Sequence, residues 1–182
     1  FGKVKFGDIS LAAIGRDIYV VKYDSQGKVL WANRAGGEAD DFGNAIVVDK
    51  DGNCFVAGAF VRTMTIGTET LVSHGQHDMF IAKYNSKGEL LWCKDAGGLY
   101  SDHAMALTLD RSGNAYVAGF FKDTMLFASD KMIIGKSVGQ FDLFLAKYDS
   151  KGNVVWAKTT AGSNYQSQNE GLAITSNIKG MI

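Results

Sequence analysis

One stretch of this chain constrains its fold more than any other, because the chain writes it three times. Asp17-Ile-Tyr-Val-Val-Lys-Tyr-Asp-Ser-Gln-Gly-Lys-Val-Leu-Trp31 returns as Asp78-Met-Phe-Ile-Ala-Lys-Tyr-Asn-Ser-Lys-Gly-Glu-Leu-Leu-Trp92, and again as Asp142-Leu-Phe-Leu-Ala-Lys-Tyr-Asp-Ser-Lys-Gly-Asn-Val-Val-Trp156. Self-similarity at a period of about 60 residues points to a solenoid, propeller or array. Each copy reads as strand, turn, strand. Alternation separates an aliphatic face (Ile18/Val20, Met79/Ile81, Leu143/Leu145) from an aromatic one (Tyr19/Tyr23, Phe80/Tyr84, Phe144/Tyr148). A strand that is apolar on both faces needs cover on both. Trp31, Trp92 and Trp156 are accordingly expected to be largely buried in equivalent surroundings, each against a neighbouring sheet.

The intervening segments repeat as well. After Trp31 come the polar loop Ala35-Gly-Gly-Glu-Ala-Asp-Asp-Phe-Gly43, an apolar run over 44–49, the turn Lys50-Asp-Gly-Asn53 and a second run over 54–60. The next copy keeps that order through Ala96-Gly-Gly98, 104–110, Arg111-Ser-Gly-Asn114 and 115–121; the third reaches Ala161-Gly-Ser163 and Gly171-Leu-Ala-Ile-Thr175. Asp-x-x-Gly between apolar strands fits a short hairpin whose glycine takes the left-handed position. Each repeat thus carries four strands in two hairpins (44–49, 54–60, 78–84 and 89–95 in the first complete one), with an added hairpin over 61–77. The reading is an all-β fold, a β-propeller of four-stranded antiparallel blades. Here it forms a partial arc of about three repeats over residues 1–182, with units 17–77, 78–141 and 142–182 and with 1–16 the tail of a preceding repeat. Connectivity places every tight turn at one end of the sheets and the long loops at the other.

With 182 residues and 46% hydrophobic content the chain can bury a substantial core. Nineteen basic and nineteen acidic side chains cancel, so the basic stripe of a nucleic-acid binder is missing. No apolar run approaches the roughly 20 residues that span a bilayer. The chain opens on Phe1 without a signal-peptide pattern, and it reads as a piece of a longer or processed protein. Cys54 and Cys93 align with alanines in the other copies (Ala115; Ala32 and Ala157), so both read as core thiols. One strand lies between them, a separation of roughly 9.5 Å that exceeds what a disulfide can bridge.

The copies resemble the bacterial propeller repeat named SBBP. The carriers are Asp78-x-Phe-x-Ala-Lys-Tyr-x-x-x-Gly-x-x-x-Trp92, then Gly97-Gly98, then Asp110-x-x-Gly-Asn-x-Tyr-Val-Ala-Gly119. The resemblance implies a secreted or cell-surface bacterial propeller, often part of a larger protein, with no shared catalytic residues and no cofactor. The third copy departs from the pattern at Ser163 and at Asn169, which stands where Asp41 and Asp102 do. Asp24-Ser-Gln-Gly-Lys-Val-Leu-Trp31 also resembles the tryptophan-docking hairpin of quinoprotein propellers; a shared packing role accounts for that likeness.

Few residues offer chemistry. Asp49-Lys-Asp-Gly-Asn53 resembles the start of a calcium loop, but Phe60 occupies the twelfth position, where an acidic ligand belongs. His74-Gly-Gln-His77 offers two imidazoles on the loop side and His103 sits in the next loop, but no other repeat copies the pair, so it reads as a polar loop and no metal site is expected. Asp40 and Asp41 form a carboxylate pair, yet Asp41 recurs as Asp102, which fits a loop-bracing role better than catalysis. Lys22, Lys83 and Lys147 recur as paired or snorkelling residues, and Tyr23, Tyr84 and Tyr148 as structural ones. The expectation is a non-enzymatic secreted or surface scaffold that binds protein or glycan, with Asp40, Asp41, Asp102, His103, His74 and His77 as the loop-face candidates. Its partners would be further blades of a longer chain or other protein chains, with neither nucleic acid nor membrane. The alternative is a propeller enzyme, hydrolase, lyase or quinone-dependent, with its site on that same face.

Overall fold

The computed structural model describes residues 2–127, 132–136, 141–159 and 173–176. Among these there is no helix; the regular structure is strand, all of it paired antiparallel. β1 (Gly2–Phe6) and β2 (Ile9–Ala13) form a hairpin, followed by β3 (Ile18–Tyr23) and β4 (Val29–Gly36). Then come β5 (Phe42–Val48), β6 (Cys54–Ile66), β7 (Glu69–Tyr84) and β8 (Leu90–Gly97), hydrogen-bonded in that order. The next repeat supplies β9 (His103–Leu109), β10 (Ala115–Phe121), β11 (Thr124–Phe127), β12 (Met132–Lys136), β13 (Asp142–Tyr148) and β14 (Val154–Thr159). Of these, β9, β10, β13 and β14 make a second four-stranded meander, while β11 and β12 form a side hairpin.

The hairpin turns form as their residues dictate. In Asp49–Asn53 the Asp49 Oδ1 accepts the backbone N–H of Asp51 and of Asn53, and Oδ2 accepts the Asn53 amide. Asp110 and Asp149 do the same for their turns. Gly52, Gly113 and Gly152 sit at φ near +80° (78°, 77° and 84°), a conformation a side chain strains against. The Asp49 carboxylate of the calcium-like stretch is thereby committed to its own turn.

The added hairpin over 61–77 forms as expected, pairing Thr63↔Val72 through Ile66↔Glu69, and it is continuous with β6 and β7, strands of 13 and 16 residues. Arg62 at φ 61° and a register shift between Val61 and Thr63 redirect the pair, which then bonds the end of β4 through Ala35↔Ile66 and Gly36↔Thr65. Asp123 at φ 65° occupies the same place in the next repeat, where β11 grips the end of β8. Each added hairpin therefore clips one repeat to its predecessor by backbone bonds. One expectation needs correction, the strand over 171–175. Residues 173–176 are not strand; they lie against β9, where the Ser176 hydroxyl donates to the Leu109 carbonyl at 2.5 Å. Ala161-Gly-Ser163, Asn169, Gly171 and Leu172 fall outside the described residues.

The two-faced strands meet face to face. Ile18, Val20 and Ala35 pack with Val56, Phe80, Ala82 and Tyr84 of the next repeat. Met79, Ile81 and Ala96 pack in the same way with Phe121, Phe144 and Tyr148. The aliphatic face of one repeat is covered by the aromatic face of the following one, which explains why both faces had to be apolar. The tryptophans lock this stacking at the turn end, but they are half-buried, not fully buried. Trp31 donates its indole N–H to the Ser86 carbonyl (3.1 Å), and Trp92 does so to Ser150 (3.2 Å), each ring lying over the turn of the next repeat. Lys83 and Lys147 lie over the Phe55 and Tyr116 rings (4.7 and 4.9 Å) and face Asp49 and Asp110. Cys54 and Cys93 are free thiols on β6 and β8 with β7 between them; burial pushes both up to about 11, so neither is reactive.

Candidate functional site

The loop end of the sheets is built on two equivalent carboxylates. Asp41 accepts the Gly37 N–H (2.8 Å) and the Val61 N–H (3.4 Å), while its own N–H donates to the Arg16 carbonyl (2.7 Å). Asp102 repeats this with Gly98 (2.8 Å), Lys122 (3.1 Å) and the His77 carbonyl (2.7 Å). One residue thus ties a glycine loop and the end of the second strand through its carboxylate, and the entry to a third strand through its backbone N–H. The glycines are needed because a Cβ on Gly37 or Gly98 would fall about 2 Å from a carbonyl oxygen (1.9 Å to Thr63, 2.0 Å to Thr124). Both aspartates are buried, and desolvation pushes Asp41 up to about 6 and Asp102 up to about 8.

These braces fix what lies above them. The residues entering two of the third strands (Arg16, His77) come beside the residues following the bracing aspartates (Phe42, His103), and Phe141, entering the next, joins them through Phe120. The Arg16 guanidinium sits 4.5 Å over Phe42, and Phe42 is 5.7 Å from His77. His77 is 5.1 Å from His103, His103 stacks on Phe120 at 4.9 Å, and Phe120 meets Phe141 edge-on at 5.2 Å. Lys122 closes the row, 5.9 Å over Phe141 and 5.0 Å over Tyr100. The result is a continuous file of rings across adjacent repeats, half-buried and ended by a cation on each side. Burial lowers His77 and pushes His103 down to about 4, so both imidazoles are neutral at pH 7 and stack as aromatic rings.

Of the residues singled out in the sequence, His77 and His103 therefore come together, and exposed Asp40 acts on His77 through its charge. Asp41 and Asp102 lie beneath the surface as braces. His74 turns to Asp78 on its own strand, Nδ1 to Oδ2 at 2.7 Å. Arg16, Phe42, Phe120, Phe141 and Lys122 escaped sequence reasoning, which looked for residues that recur. For Arg16, Phe42 and Phe141 the signal is the opposite: the position before the third-strand aspartate reads Arg16, His77 and Phe141, and the one after the bracing aspartate Phe42 and His103, a ring or a cation that changes from copy to copy.

A cleft of about 390 Å³ opens beside the row, between β3 and β5, lined by consecutive residues 17–20 and by Phe42, Ala45 and Val56. Consecutive lining residues mean that it follows a strand edge. Among the described residues β3 bonds only β4, whereas β7 and β13 each have a strand on both sides.

No family profile matches the chain. It is similar to an uncharacterized WD repeat-containing protein of Acanthamoeba polyphaga mimivirus, 24% identical over 171 residues that cover 78% of this chain and 12% of that protein. It is also similar to the regulatory protein FlaEY of Caulobacter vibrioides, 28% identical over 141 residues that cover 75% of this chain and 14% of the relative. The chain thus spans about a seventh or less of the length of these two proteins. Both likenesses are distant, and the first agrees with the internal repetition read from the sequence.

Proposed function

We propose that the repeats are blades of a β-propeller of the SBBP type, and that the chain serves as a non-enzymatic scaffold whose loop face docks other proteins. The blade reading is supported by the four-stranded meanders, by the aliphatic-on-aromatic stacking of successive repeats and by the WD repeat named in one relative, since WD repeats build propellers. In this reading the cleft at the β3 edge receives a strand from a further blade of the same longer protein. The observation that carries the docking function is the file from Arg16 to Lys122. Aromatic side chains and arginine supply most of the energy in protein interfaces, and they do so best on a rigid base. Here the base is rigid because Asp41 ties down the chain at Arg16 and Asp102 ties it down at His77 and Lys122, beside Phe42 and His103. Placement outside the cell rests on the family resemblance alone and is tested by protease accessibility on intact cells.

The experiment is affinity capture with wild type and with the Phe42→Ala/Phe141→Ala variant, alongside a glycan array. Proteins held by wild type and lost by a folded variant support the scaffold. Row-dependent glycan signals without any protein partner would move the assignment to a lectin. Binding indifferent to both substitutions would remove the row from the function altogether.

A further inference from the structure

Each repeat buries an aspartate side chain at the entry to its third strand, Asp17, Asp78 and Asp142, and the first two treat that charge differently. In the first, Arg34 forms a bidentate pair with Asp17: Nε donates to Oδ2 and Nη2 to Oδ1, both at 2.8 Å. The position of Arg34 is fixed by register opposite Tyr19, and in the second repeat the residue opposite Phe80 is Asp95. Guanidinium has become carboxylate beside an aspartate whose side chain is wholly buried, a reversal of two charges at one contact.

What faces the two carboxylates of the second repeat is His74. Its Nδ1 lies 2.7 Å from Asp78 Oδ2 and 3.9 Å from Asp95 Oδ2. One ligand atom from each of the three residues falls within 4.8 Å of the others. Asp78 Oδ1, the counterpart of the oxygen that accepts Arg34 Nη2 in the first repeat, is buried and has no hydrogen-bond partner among the described residues. A buried carboxylate oxygen left in that state is costly unless a cation reaches it. Gly97 keeps the space open, since a Cβ there would meet the Asp78 carboxyl at 2.3 Å.

We infer that His74, Asp78 and Asp95 bind a divalent cation of the zinc class, standing where the Arg34 guanidinium stands in the preceding repeat. One imidazole nitrogen and two carboxylates suit a borderline first-row ion; calcium and magnesium prefer all-oxygen shells. His74 is half-exposed, with its side chain at 50%, so the fourth position opens to solvent and takes water. The inference is independent of the docking function, because none of the three residues belongs to the row of rings.

Zinc titration of the chain by calorimetry tests it, with cobalt as the spectroscopic probe. The expected result is one Zn²⁺ per chain, a rise in Tm on loading, and Co²⁺ ligand-field absorption without a thiolate charge-transfer band. His74→Ala should weaken zinc binding at least tenfold. Asp95→Arg should abolish binding and give a metal-free Tm at or above that of the metal-free wild type, because it restores the Asp17–Arg34 arrangement. Asp51→Asn, in an exposed turn, should leave binding unchanged. A wild type that takes up no zinc while folded, or a stoichiometric site that survives both His74→Ala and Asp95→Arg, would overturn the inference.

Discussion

Asp102 holds three backbone segments together from a site with no exposed surface, and that placement makes its proton a structural component. Burial pushes it up to about 8 from an ordinary 3.8. Between those values the folded chain keeps a proton that the unfolded chain has released, so stability falls as pH rises through the window. Asp41 contributes in the same direction only up to about 6. His103 opposes both: pushed down to about 4 from 6.5, it makes the folded chain gain stability as pH rises between those two values, and nothing above 6.5. Of these three groups only Asp102 still titrates between pH 6.5 and 8. The wild type should therefore lose about 1–2 kcal/mol over that interval in urea unfolding. Asp102→Asn should be less stable overall but flat across the same interval. Equal slopes for the two proteins would show that Asp102 is ionised in the fold.

The turns show how an element is bound to its neighbour. Gly27 and Gly88 occupy the same turn position at φ 80° and 86°, but an added Cβ at Gly27 meets nothing within 4 Å, whereas at Gly88 it falls 2.7 Å from the Trp31 ring. Gly27→Ala should cost about 1–2 kcal/mol, the strain of a left-handed residue with a side chain. Gly88→Ala should cost about 1–3 kcal/mol more, because it also displaces Trp31 from Ser86. Thermal unfolding of the two variants measures the difference, and equal losses would mean that Trp31 does not bind the repeats together. These turns were legible in the sequence because their chemistry is local: the aspartate and the glycine that make them lie three residues apart. The extent of β6 and β7 was not legible, because it depends on Arg62 steering the pair onto β4, a contact between repeats. The row of rings was hidden for the same reason. Residues 16, 42, 77 and 103 become neighbours only when repeats stack, and no spacing along one repeat announces them.

At the scale of the whole molecule, the stacking rule leaves the aromatic face of β3 without a counterpart among the described residues. Tyr23 is 51% exposed, while its equivalents Tyr84 and Tyr148 are 1% and 2% exposed beneath the preceding repeat. Among the described residues the sheets do not close on themselves and β3 pairs with β4 alone, leaving an edge of the kind through which β-proteins pair with other chains. By the rule that joins the repeats inside the chain, an uncovered aromatic face takes an aliphatic one, and a second copy carries strands of that kind, a heterologous contact. The isolated chain should accordingly show concentration-dependent association in sedimentation velocity. Tyr23→Lys should shift it toward monomer by placing a charge on that face. Leu99→Lys should change nothing, although Leu99 is more exposed at 71%, because it lies on the loop end outside the stacking faces. A wild type that stays monomeric at every concentration would mean that residues of the same chain cover this face, and the reading of this chain as an open run of blades would fall with it.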